Sequence, residues 1–136
     1  LGSRVLEAGP LLTITREKAR WQNSELWLDV VRRADTPLVE LRVRVNWQQK
    51  REVLKLVVPT RLRPSAVFAK TAGGVTARTP EAGEAPMHDW VAVEGTVGAS
   101  AATVAVLNDA THGYDVAGGE IQFIVARGVP HAEHPP

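Results

Sequence analysis

The stretch "LVELRVRVNW" constrains this chain more than any other. Val39, Leu41, Val43, Val45 and Trp47 alternate with Glu40, Arg42, Arg44 and Asn46. Successive side chains of a strand point to opposite faces, so a period of two predicts one dry face and one wet face. On a helix the same residues would scatter around the cylinder. Trp47 falls on the dry side, and the expectation is a core tryptophan.

Other segments repeat the pattern. "LLTITRE" sets Leu12 and Ile14 against Thr13 and Thr15, and "ELWLDVVRR" puts Leu26, Leu28 and Val30 on one side. "EVLKLVVP" is a fuller apolar run stopped at Pro59, and "WVAVEG", "AATVAVLN" and "EIQFIVAR" complete the set. Between them stand turn residues: Gly9-Pro10, Asp35-Thr36-Pro37, Gly73-Gly74, Thr79-Pro80 and Gly118-Gly119. Only "TREKARWQNSELW" suits a helix at all, and it reads better as two strand ends around a turn at Gln22-Asn23-Ser24. Short strands at regular spacing predict an all-β chain, an antiparallel β-sandwich. A length of 136 residues suits a single domain over 1–136. "RTPEAGEAPMHD", residues 78–89, reads as a surface loop, and the Pro-rich tail 128–136 as a frayed end.

The polar stretch "LNDATHGYDV" lies between the apolar runs "ATVAV" and "IQFIV" and reads as a wet hairpin. Asp109 and Asp115 flank it, where Asx side chains cap turns by accepting backbone N–H bonds. There is no Gly-x-Ser-x-Gly elbow and no phosphate-cradling glycine loop. Of the four histidines, His131 and His134 sit in the Pro-rich tail, where a metal-binding helix is not expected. His88 reads as a solvated loop residue, and His112 is the one in a plausible site. No cysteine is present, which excludes disulfides, thiolate zinc sites and cysteine nucleophiles, and fits a reducing, cytoplasmic setting. A net charge of +1, with basic residues scattered along the chain, gives no pull toward nucleic acid or an anionic membrane. No apolar run reaches the ~20 residues of a membrane span.

The order of the motifs adds a resemblance. "VLEAGP", "VNWQQKREVLKLVVP", "GGVTARTP", "APMHDWVAV", "VAVLNDATHGYDV" and "IQFIVARGVPHAEHP" follow one another from Glu7 to about Pro135. This series resembles the C-terminal β-domain of the glycoside hydrolase family 38 α-mannosidases, in particular the bacterial type. The resemblance implies a supersandwich-like β-domain, non-catalytic in itself, in an enzyme that hydrolyses α-mannosides with retention. In such an enzyme an aspartate nucleophile and a zinc held by His and Asp side chains sit on an N-terminal α/β barrel. The implied partners are that barrel and the α-mannoside substrate; the sequence leaves open whether the protein is an oligomer. No catalytic residue and no metal ligand carries over to this chain. The resemblance makes Asn108, Asp109, His112, Tyr114 and Arg127 the candidates for the cleft rim or the domain interface. Asn46 stands where relatives more often carry Asp, and "AVFAKTAGGVTAR" is less aromatic and less acidic than the usual strand pair.

Two other function classes compete. A stand-alone carbohydrate-binding module presents exposed Trp or Tyr on a flat face; this chain has four Trp and one Tyr. A structural sandwich of an adhesin would show Thr/Ser-rich strands and terminal linkers, which the sequence lacks.

Overall fold

A computed structural model describes residues 2–129. Among them are twelve strands and no helix: β1 Gly2–Ala8, β2 Leu12–Trp21, β3 Ser24–Arg33, β4 Val39–Asn46, β5 Val53–Pro59, β6 Arg63–Thr71, β7 Gly74–Arg78, β8 Ala85–Pro86, β9 Trp90–Val97, β10 Ser100–Leu107, β11 Gly113–Ala117 and β12 Glu120–Arg127. Every pairing is antiparallel. The chain is all-β, as the alternation predicts. The His131 and His134 pair and most of the tail 128–136 lie outside the described residues.

The strands group into two compact units, with the second spanning Val53–Arg127 and the first taking the chain up to Glu52 and again from Gly128. The first unit is one four-stranded sheet in the order β1-β2-β3-β4. The Gln22-Asn23 turn joins β2 to β3, with Gln22 at a φ of 50° and Ser24 already in the strand. Ser24 is buried, and its Oγ accepts bonds from Gln48 N at 2.9 Å and Gln49 Nε2 at 3.0 Å. This ties the segment after β4 back to the turn. Gly128 closes the unit: its N–H donates to Glu52 O and its carbonyl accepts from Arg51 N.

β1 escaped the sequence reading. All seven of its residues are exposed, so it carries no alternation and is held by β2 alone. The dry face assigned to β4 also differs from expectation. Val39 is 52% exposed and Val43 36%, while Leu41, Val45 and Trp47 are half-buried. The unit contains a single sheet, so it supplies no second layer of its own for that face. Trp47 therefore lies outside the buried core, and its indole Nε1 is buried without a hydrogen-bond partner among the described residues.

The second unit is a β-sandwich of two four-stranded sheets, β10-β9-β6-β7 and β5-β12-β11-β8. Alternate residues of both sheets fill its core: Val67 and Ala69 of β6, Val91 and Val93 of β9, Tyr114 and Val116 of β11, Ile121 and Phe123 of β12. Met87 is wholly buried and Ala85 nearly so, which corrects the reading of 78–89 as surface loop throughout. Two-residue β8, paired to β11 through Ala85 and Pro86, anchors the end of that segment inside the sandwich.

Core aromatic truncations cost about 3–5 kcal/mol. Phe123→Ala should reach that range in urea unfolding, and Trp47→Ala should cost clearly less because its ring is only half-buried. Equal losses would return Trp47 to the core.

Candidate functional site

The chain crosses between the two sheets of the sandwich through loops, and two of these loops build the candidate site. One follows β8 (residues 87–89) and the other follows β10 (residues 108–112). The stretch "LNDATHGYDV" is thus no hairpin. β10 registers along its full length with β9, in the other sheet from β11. The hairpin lies further on, where Gly118 and Gly119, at φ values of 58° and 78°, join β11 to β12. Two consecutive residues with positive φ match the tight turn that strand twist favours; Asn108-Asp109 carries no such glycine pair.

Asn108 organises the loop. Its Oδ1 accepts from Ala110 N at 3.1 Å, Thr111 N at 2.8 Å and Thr111 Oγ1 at 3.1 Å. Its Nδ2 donates to Thr111 O and, at 3.0 Å, to His88 O in the neighbouring loop. The backbone completes the join: Asn108 N donates to Asp89 O at 2.8 Å and Met87 N to His112 O at 2.9 Å. The turn-capping role expected of Asp109 and Asp115 belongs to Asn108. Neither aspartate side chain makes a hydrogen bond among the described residues, and Asp109 is exposed.

The join brings His88 and His112 together, with ring centroids 6.1 Å apart and planes tilted by 59°. Both are exposed. Beside them Lys70 Nζ meets Asp89 Oδ2 at 2.6 Å. The hydrogen bond from Lys70 holds the Asp89 carboxyl below its usual range, and the charges of Lys70, His88 and His112 act in the same direction. His88, Asp89 and Lys70 are the members that sequence reasoning left out. The only available signal was "MHDW" placed between two strands, and nothing in one dimension brings it to residue 112.

Two of the sequence candidates fall elsewhere. Tyr114 is 3% exposed and belongs to the core, which corrects its assignment to a rim. The alternation of β11 turns Tyr114 and Val116 inward, and burial pushes the phenol pKa up. Arg127 is exposed at the end of β12, where Nη2 meets Glu84 Oε2 at 3.0 Å. Lys55 Nζ meets the other oxygen of Glu84 at 2.8 Å. The Lys55 bond is the main cause that lowers the Glu84 pKa, with Arg127 adding to it. Loop 108–112 and Arg127 nonetheless share one end of the sheet. Gly113 packs against the Ile124 side chain, and Arg127 lies three residues on, roughly 10 Å along the strand.

Among the described residues no three His, Cys, Asp or Glu side chains converge, so this arrangement does not fit a resident zinc. No helix among the described residues is long and apolar enough to cross a membrane.

The family model described as the glycosyl hydrolases family 38 C-terminal domain matches residues 2–133. Among curated proteins, no match is found.

Asn108→Ala should destabilise the chain by about 1–3 kcal/mol, the cost of leaving hydrogen-bonding groups unpaired, and should speed amide exchange at Thr111. Asp109→Ala should leave melting unchanged. Glu84 and Asp89 have lowered pKa values, so the stability each contributes is present above its unfolded pKa and is lost as pH falls through the folded one. By NMR titration, Lys55→Gln should return Glu84 further toward its ordinary range than Arg127→Gln does.

Proposed function

The chain belongs to the family of glycosyl hydrolase family 38 C-terminal domains, and we propose that it serves as the non-catalytic β-domain of a retaining, zinc-dependent α-mannosidase. The observation that carries this reading is the family match across residues 2–133. The loops of the second unit agree with it. They carry polar side chains fixed by backbone bonds, Asn108 above all. The zinc and the aspartate nucleophile belong, on this reading, to an N-terminal catalytic barrel in the same protein.

The joined loops 87–89 and 108–112 are the surface that this reading aims at the barrel. A rim of this kind must hold its polar groups in place before substrate arrives, because positioning lost in a neighbouring domain is lost at the reacting bond. Asn108 supplies that rigidity, and His88 and His112 supply exposed groups able to donate to or accept from a sugar hydroxyl. Arg127 is a separate rim element, restrained by Glu84. A free-standing carbohydrate-binding module remains the alternative class, with Trp21, 59% exposed, as its most open aromatic residue.

The test uses the full-length enzyme and an aryl α-mannoside. The enzyme should turn over this substrate and lose activity to a chelator, while residues 1–136 alone, folded by circular dichroism, should be inactive with or without added zinc. Turnover by the isolated chain overturns the proposal. In the full-length enzyme, His112→Ala, Asp109→Ala and Arg127→Ala should each lower kcat/KM with the melting temperature nearly unchanged. Unchanged kinetics for all three would remove this end of the sandwich from the cleft.

A further inference from the structure

Basic residues that look scattered in sequence are collected by the register of the first unit. Arg16, Asp29 and Arg42 align across β2, β3 and β4, and Lys18, Trp27 and Arg44 form the next row on the same face. The two rows follow from alternation: Arg16 and Lys18 are two apart on β2, Trp27 and Asp29 on β3, Arg42 and Arg44 on β4. A shallow depression of about 240 Å³ lies among Arg16, Trp27, Asp29, Arg42 and Arg44.

Its groups are ordered and unequal. Arg16 grips Asp29 with two bonds, Nε to Oδ1 at 2.6 Å and Nη2 to Oδ2 at 2.7 Å. Arg42 is held by Glu40 at 2.6 Å. Lys18 Nζ stands 5.2 Å from the Trp27 ring centroid and pairs with Glu25 at 3.4 Å. Arg44 has no acidic partner within ion-pair distance among the described residues, so positive charge is in excess where Arg42 and Arg44 border the hollow. The Arg16 bond lowers the Asp29 pKa most, and the charges of Arg44 and Arg42 lower it further.

We propose that this face of the first sheet binds a single sugar ring bearing an oxyanion, a phosphate or a carboxylate, with the anion on Arg44 and the ring beside Trp27. The chemistry matches group by group. A guanidinium fork donates in parallel to two oxygens of a phosphate or carboxylate. An indole offers an apolar surface to the C–H face of a pyranose. Arg16 engages both Asp29 oxygens, and their remaining lone pairs accept from ring hydroxyls. The hollow is smaller than the ~300–1,000 Å³ of sites for drug-sized ligands, a size that matches one ring. A neutral sugar would make no use of the Arg44 charge, and a bare anion would make no use of Trp27. The inference stands apart from the mannosidase reading, because its residues all lie in the first unit and it requires no turnover.

Isothermal titration of the full-length protein tests it, with glucose 6-phosphate, glucuronate, glucose and inorganic phosphate as probes. Glucose 6-phosphate or glucuronate should bind, and which of them binds tighter identifies the anion. Arg44→Gln should weaken that binding about tenfold or more, as loss of a charge-assisted bond does. Trp27→Phe should weaken it less, and Arg63→Gln, in the second unit, should leave it unchanged. The proposal is overturned if neither anionic sugar binds, if glucose or inorganic phosphate binds as tightly, or if Arg44→Gln has no effect.

Discussion

Burial of the two inner sheet faces of the second unit governs everything that its loops can do. Phe123, Ile121, Tyr114 and Val116 of one sheet meet Val67, Ala69, Val91 and Val93 of the other. Each full burial of such a side chain contributes roughly 1.5–3 kcal/mol. The packing also forces the chain to pass from sheet to sheet. Two of those passages are the loops at residues 87–89 and 108–112, so the geometry of the candidate site follows from the core. The rest is local chemistry, with Asn108 substituting for the backbone partners that a sheet would have supplied.

The two units show two ways of using the same period of two. In the second, alternation separates a buried layer from an outer surface on which Lys55, Glu84 and Arg127 pair. In the first, one sheet separates an aliphatic row from a charged row. The charged row is cross-linked by Arg16–Asp29, Lys18–Glu25, Arg42–Glu40 and Arg33–Glu40. Exposed pairs of this kind contribute about 0–1 kcal/mol each. Their role is better read as arranging charge than as holding the sheet together.

Much of the fold is legible in the sequence, because a strand writes its two faces into alternating residues. β3, β4, β9 and β12 could be read that way, as could the turn at Gln22-Asn23. β1 could not, since a fully exposed edge strand leaves no pattern. β8 could not, because two residues are too few for a period. The hairpin reading of "LNDATHGYDV" failed for a different reason: strand pairing is a long-range choice, and β10 had already taken β9. The candidate site shares that difficulty. His112 stood out by its company, but His88 and Lys70 reach it only through pairings twenty or more residues away in sequence. The resemblance makes Tyr114 a rim or interface candidate, whereas its position in β11 makes it a core ring.

The return of Gly128 to Arg51 and Glu52 has a consequence for synthesis. The chain leaves the first unit after residue 52, builds the whole of the second, and only then supplies the glycine that closes the first. No side chain beyond hydrogen fits there, because a Cβ would collide with the Gln49 carbonyl. On the ribosome, chains emerge at about 5–20 residues per second and domains generally form in order of appearance. Here the order is nested. The β1–β4 sheet is translated before the second unit and closed after it, and for several seconds of elongation its segment at 49–52 waits for a partner still inside the tunnel.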